Sequence, residues 1–439
     1  MNSSQQTPEL LQTPTPVIEK RQLPIVALFI ANVCSFVGDV LMNLSIPWLV
    51  LQTTGSAAQA GITAFSATLA IVISSFFGSL LMDRLGYKRT SVGADIASGI
   101  AVVLIPLCYM TIGLSFWELQ VLVFLAGLLQ TPGTEARYAM LPDLIKLSQM
   151  PSERANSLYD GVRRVAGFFG APLAGVLIIA IGTANLLWVD GATFFFSAIL
   201  LAWAVPHTPP VRKAGEKKEG SYIGELKEGL VFVRRSPVML SIVIVVMITN
   251  LLDQGLAGVI QPVYVRQIFG NPLALGELVA AFGGAAFVST MLFAWIGHRL
   301  PRSRTLGLCF TLSTILRFLP LALALPLPIL ITAYIAAGLL IGPINPILSG
   351  AEQELVPVEM RARVFGALAA GVTCGMPLGG LVAGFFVQWS GVIPAIIAFG
   401  ITYLACTISL LVNPALKAID KQPETPPQRE PPLEKGTQS

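Results

Sequence analysis

The chain has 439 residues, 54% hydrophobic and 12% charged, with a net charge of +4 and a mean hydropathy of +0.73. Soluble domains carry about a quarter charged residues, so this composition excludes a water-soluble globule and calls for a bilayer as solvent. The small net charge, with no basic patch interleaved with aromatics, excludes a nucleic-acid binder. Cys34, Cys108, Cys309, Cys374 and Cys406 sit singly inside apolar runs, and His207 and His298 lie far apart. Neither disulfides, nor a metal site, nor a cofactor is expected.

In chain order, residues 1–20 are polar and proline-dotted and are expected to be a disordered cytoplasmic terminus. The first apolar run is too long for a secretory leader and leads straight into others. The pattern predicts an all-α membrane protein with twelve transmembrane helices, over 24–51, 57–81, 91–113, 116–141, 157–181, 186–206, 237–264, 273–298, 304–325, 327–351, 362–389 and 391–412. Each run holds the roughly 20 apolar residues that a crossing helix needs. The runs are long and continuous, which favours helices over the short alternating strands of a barrel.

The charged stretch 207–236 divides the chain into bundles at 21–206 and 237–412. Within it, Ile223, Leu226 and Leu230 share a helical face, so an amphipathic helix at the membrane surface and a solvated linker are both open readings. The tail, 413–439, is rich in proline and charge and is expected to be a disordered cytoplasmic segment.

Basic residues set the orientation. If the N-terminus is inside, Lys20, Arg21, Arg84, Lys88, Arg89, Lys146, Arg154, Arg212, Lys213, Arg234, Arg235, Arg299, Arg302 and Arg361 all fall on the cytoplasmic side. Arg266 stands almost alone on the other, so both termini are placed in the cytoplasm.

The halves also repeat. Asp39 aligns with Asp253, Thr90 with Thr305, Gly127-Leu128-Leu129 with Gly338-Leu339-Leu340, and Pro172-Leu173 with Pro377-Leu378, all in order. Two six-helix pseudo-repeats are a transporter architecture, with the substrate site between the halves near mid-membrane.

The stretch from Gly78 to Thr90 joins the second and third spans and contains Asp83, Arg84, Gly86, Lys88 and Arg89. It resembles the loop between helices 2 and 3 of the major facilitator superfamily. Leu141-Pro142 to Ala155-Asn156, and Glu225 to Leu230 with Arg234-Arg235, are similar to its macrolide-efflux-like and siderophore-exporter-like bacterial branch. Gly167-Phe168-Phe169-Gly170-Ala171-Pro172-Leu173-Ala174-Gly175 resembles the antiporter motif of exporting facilitators at Gly167, Pro172 and Gly175, with Ala171 and Val176 where glycines are usual. The resemblance implies efflux, although Gly375-Met376-Pro377-Leu378-Gly379-Gly380 in the second half points to general helix packing instead. The family's drug–proton antiporters often carry an arginine in mid-helix 4, and Val121 to Leu125 contains none.

Asp39 and Asp253 are the candidate coupling acids. Each lies about 16 residues, or about 24 Å, into its span. A carboxylate in lipid costs a few kcal/mol unless it meets water or a partner. An acid there can hold a proton and release it when water arrives, or anchor a cationic substrate. The alternative is local capping near the outer surface. Arg317 either pairs with a carboxylate of the second half or snorkels outward. Gly78, Asp83, Arg84, Gly86, Arg89, Glu135 and Arg137 are the candidate cytoplasmic gate, with Asp160, Arg163 and Arg164 nearby; ordinary interfacial anchoring is the alternative. With helix 4 lacking its arginine, Asp83 is expected to turn to Arg137 or Arg361. Asp95 is read as a structural partner of Arg84 or Arg89, and Asp190 as peripheral.

These readings converge on a secondary transporter of the bacterial inner membrane, working as a monomer. It is expected to export a small hydrophobic compound in exchange for protons, since the spans show no dense polar site. No phosphate-binding loop is present, so ATP is not the driver. No HExxH or Ser–His constellation suggests an enzyme. An uptake permease, a lipid flippase, or a sensor or scaffold of the same fold are the rivals.

Overall fold

The computed structural model describes residues 22–206, 222–413 and 420. The expected disordered termini and most of the loop before residue 222 lie outside the described residues.

All regular elements here are helical. The first half contains α1 (Leu23–Thr54), α2 (Ala57–Leu85), α3 (Tyr87–Thr111), α4 (Phe116–Ser148), α5 (Ser152–Ile181) and α6 (Thr183–Ala204). A short helix, α7 (Tyr222–Arg235), leads into α8 (Pro237–Gly255), which runs through a π-turn at Leu256–Ile260 into α9 (Gln261–Ile268). There follow α10 (Pro272–Ile296), α11 (Arg302–Ala322), α12 (Leu327–Ile341), α13 (Ile344–Leu355), α14 (Arg361–Thr373), α15 (Met376–Ser390) and α16 (Val392–Val412). Among the described residues, eleven stretches are long and apolar enough to cross a membrane. The fourth expected span is not among them, because α4 carries Gln120, Gln130, Glu135 and Arg137 along its length.

Local sequence explains the element ends. Ser56 caps α2 by accepting from the Gln59 N–H, and Ser115 with Glu118 forms a capping box on α4. Gly86, at φ +81°, makes the turn between α2 and α3 that a side chain would strain. Two of the expected continuous spans are broken. One breaks between α12 and α13 at Gly342-Pro343, the other between α14 and α15 at Cys374-Gly375 ahead of Pro377. Proline removes a helical N–H and crowds the preceding turn, and the pattern of apolar residues alone does not register this.

Packing repeats as the sequence does. In the first half α1 packs on α5 and α6, α3 on α4 and α6, and α2 on α4. In the second half α8 packs on α15 and α16, α11 on α12 and α16, and α10 on α12. The halves meet through the matching pairs α2–α15 and α5–α10. At α2–α15 the backbones touch through glycine: a Cβ on Gly61 would stand 2.8 Å from Gly384 Cα. Polar contacts between the halves lie at the same end. Ser56 Oγ donates to Gln388 Oε1 at 3.2 Å, the Ala58 N–H donates to the same atom, and Arg266 donates to the Leu51 carbonyl.

A helix, α7, stands where the amphipathic segment is expected; the side chains of Ile223 and Leu226 lie outside the described residues. Val233 is buried against Met239, Val364 and Leu368, and Gly229 lies against the Arg363 backbone, while Leu230 is exposed. Arg363 also donates to Glu228 at 2.6 Å, so α7 is fastened to α14.

Candidate functional site

In the first half, a buried polar cluster joins four helices. Arg137 Nη1 of α4 donates to both oxygens of Asp95 on α3, at 2.7 and 2.9 Å. Its Nη2 donates to Ser35 Oγ of α1 at 2.7 Å and to Thr134 Oγ1 at 3.1 Å, and Ser197 Oγ of α6 donates to Asp95 at 2.6 Å. Arg137 therefore does not stand at a surface gate. Helix α4 runs on to Ser148, so Arg137 is inside the bundle rather than at its rim. Asp95 meets Arg137 instead of Arg84 or Arg89, and both terminal nitrogens of Arg137 are engaged inside the bundle, while its Nε is buried without a partner and Asp83 is exposed. Arg361 turns to the carbonyls of Gln353 and Val356.

Higher in the same half, Asp39 on α1 is half-buried and accepts a hydrogen bond from Gln130 Nε2 of α4. The next helix brings up a second acid. Asp190 on α6, read from sequence as peripheral, is fully buried, and neither carboxyl oxygen has a hydrogen-bond partner. It lies against the α1 backbone at Gly38, where a Cβ would stand 2.5 Å from Asp190 Oδ1 and 2.6 Å from Thr193 Oγ1. Position near a helix start suggested a rim residue; the sequence did not reveal that the glycine before Asp39 makes room for it.

In the second half, Asp253 on α8 is held twice. Arg317 Nη1 of α11 donates to Oδ1 at 2.8 Å, and the Tyr403 hydroxyl of α16 donates to Oδ2 at 3.0 Å. The Arg317 guanidinium also lies 4.6 Å from the centre of the Phe282 ring, so it points inward and does not snorkel. These groups line a cavity of about 420 Å³ together with Asn250, Gln261, Tyr334 and Asn345. The Tyr334 hydroxyl and Gln261 Nε2 are buried there without a partner. The expectation of no dense polar site is thus overturned. Arg317, Tyr334, Asn345 and Tyr403 come from four other helices, and only folding brings them to Asn250 and Asp253 of α8. A second cavity of about 330 Å³, lined by Met42, Asn43, Thr63 and Thr68 of the first half, shares Gln254 and Ala257 with the first.

The remaining candidates are spread out. A Cβ on Gly78 would stand 3.6 Å from Pro132 of α4, an ordinary contact, and Asp83, Arg84, Arg89 and Glu135 are exposed. Lys88 caps α6 by donating to the carbonyls of Ala202 and Val205 at 2.8 and 2.6 Å. In α5, a Cβ on Gly175 would stand 2.8 Å from Leu273 Cα, and Pro172 lies against Gly276, so both sit where the halves meet. Gly167 faces open space.

Membrane-length helices in two like halves, flanking shared cavities lined by charged and polar groups, define a multi-pass membrane transporter rather than an enzyme. The family model described as Major Facilitator Superfamily matches twice, over residues 28–252 and 243–438. The chain belongs to that superfamily. It is 27% identical over 404 residues to the multidrug efflux pump Tap of Mycolicibacterium fortuitum, covering 90% of this chain and 97% of that one. It is 19% identical to macrolide efflux protein A of Streptococcus pyogenes, over 84% and 91% of the two chains. The crystal structure of the nucleoside transporter NupG superposes with a TM-score of 0.72 at 13% identity, over 89% and 98% of the chains, a likeness of fold.

Proposed function

We propose that this transporter exports a small, mainly apolar compound, drug-like or siderophore-like, in exchange for protons, by alternating access across the bacterial inner membrane. The two halves, 21–206 and 237–412, rock about the cavities as a monomer with both termini in the cytoplasm. The names of the Tap and macrolide efflux relatives support export, and the one-sided distribution of basic residues supports the orientation.

The observation that carries the coupling is the unequal fate of the two aligned aspartates. Asp253 is neutralised by Arg317 and held by Tyr403. Asp39 has a neutral amide as its hydrogen-bond partner, so its proton is free to exchange when water reaches it. The Tyr334 and Gln261 groups left unpaired in the larger cavity suit a substrate that carries hydrogen-bonding groups on an apolar body.

Everted membrane vesicles with ethidium as the probe test this. Wild type accumulates ethidium when a proton gradient is applied, which also separates export from uptake. Asp39→Asn loses that accumulation but keeps ethidium counterflow, which needs no net proton movement. Full gradient-driven accumulation by Asp39→Asn contradicts the coupling.

A further inference from the structure

The proposed coupling rests on Asp39, but the carboxyl with the more demanding surroundings is Asp190. A buried structural carboxylate collects donors, as Asp95 does from Arg137 and Ser197. Asp190 collects none. Both its oxygens are buried and unpartnered, and the nearby Thr193 hydroxyl is spent on the Asp190 backbone carbonyl at 2.7 Å. An ionised carboxylate cannot be kept in such a place without a large desolvation cost, so the packing accommodates the neutral acid.

The surroundings supply no compensating charge. From α1 the neighbouring titratable group is Asp39, the residue after the Gly38 backbone on which Asp190 packs. The acid that α3 turns toward α6 is Asp95, which meets Ser197 and is already satisfied by Arg137 of α4. On α5 the charged residues Glu153, Arg154, Asp160, Arg163 and Arg164 all lie in the half of the helix remote from the α5–α6 turn, and α6 has no other titratable residue. Gly38 removes the one side chain that would separate α1 from Asp190.

We propose that Asp190 is the second acid of the proton site, and that Asp39 and Asp190 carry one proton between them across Gly38. In the conformation described, Asp190 holds the proton and Asp39, accepting from Gln130, is the anion. When the halves rock and water enters, the O–H bond of Asp190 breaks as that of Asp39 forms. The pair keeps one proton and one negative charge throughout this exchange. Proton loss to solvent then occurs from Asp39, the half-buried member. In the dry conformation the two neighbouring carboxyls cannot both ionise; the water that enters when the halves rock is what allows both to be charged once the proton has left.

This inference rests on the proton-coupled reading above, so its test has an arm that needs no transport. Purified wild-type protein in lipid is examined by infrared spectroscopy at neutral pH for the C=O band of a neutral carboxyl. Asp190→Asn is expected to remove that band, and Asp39→Asn to leave it. A band undiminished in Asp190→Asn overturns the proposal. In the transport arm, Asp190→Asn is expected to lose at least tenfold of gradient-driven ethidium accumulation while keeping counterflow, with partial rescue by Asp190→Glu. Loss of both activities with an intact fold, or full retention of gradient-driven accumulation, overturns it as well. If wild type itself moves no ethidium, the export reading fails while the infrared arm still decides the proton's location.

Discussion

Arg137 and Asp95 lie 2.7 Å apart with side-chain exposures of 0% and 1%, and they tie α1, α3, α4 and α6 together through Ser35 and Ser197. A charge pair this deeply buried is costly to break on one side, because the survivor is left uncompensated. Arg137→Met or Asp95→Leu alone is expected to destabilise the protein by about 3–5 kcal/mol, read as a lower Tm and poor recovery from membranes. The double substitution should recover most of that loss. If the double variant is as unstable as the sum of the singles, the pair is not the connection described.

Gly38 predicts a steric effect of opposite kind. Alanine there introduces a Cβ into the Asp190 carboxyl and the Thr193 hydroxyl, so α1 and α6 must separate. Overpacking of this sort costs about 1–3 kcal/mol. The expected outcome is a modest fall in Tm with a larger loss of gradient-driven ethidium accumulation. Gly167→Ala serves as the control, since that position opens onto free space. Equal losses at both positions count against the close approach at Gly38.

The contact between α2 and α15 makes a conformational prediction. Gly61 meets Gly380 and Gly384 backbone to backbone, next to the Ser56–Gln388 hydrogen bond. Gly61→Leu is expected to hold that end apart and bias the protein toward the alternate state. A cysteine at Ser56, in a background without native cysteines, should then react with an impermeant maleimide several-fold faster than without the leucine. No change in labelling rate would show that this contact does not close the protein.

Tyr403 and Arg317 divide the task of holding Asp253. Tyr403→Phe removes one hydrogen bond to a charged group, a loss of about 1.5–3 kcal/mol at most. Arg317→Gln leaves Asp253 without its cation and is expected to impair folding or transport far more. A ranking with Tyr403→Phe the more damaging would point to a direct substrate contact by the hydroxyl.

Much of this organisation was legible in the chain itself. Long apolar runs marked the spans, and the alignment of Asp39 with Asp253 and Pro172 with Pro377 marked the two halves. What remained hidden depends on how helices face one another. Asp190 looked like a rim residue because its distance from a helix start says nothing about which neighbour covers it. Sequence proximity points Asp95 to the basic loop beside it, yet its partner, Arg137, comes from the next helix. The polar cavity is invisible in the sequence because Arg317, Tyr334 and Tyr403 reach Asn250 and Asp253 from three other helices. The breaks at Gly342-Pro343 and Gly375 were missed because a hydropathy run does not register a local loss of backbone hydrogen bonds.

The central claim is that two like bundles enclose one water-accessible path that passes between Asp39 and Asp253. Gln254 lines both cavities, and Asn43 lines the one beside α1. The most direct measurement is therefore maleimide labelling of Gln254→Cys and Asn43→Cys, each in a cysteine-free background, from either face of sealed vesicles. The account predicts that both react from the aqueous phase, faster from one face, and that Gly61→Leu reverses the preferred face. If neither position ever reacts with a water-soluble reagent while the helices are correctly inserted, no such path exists.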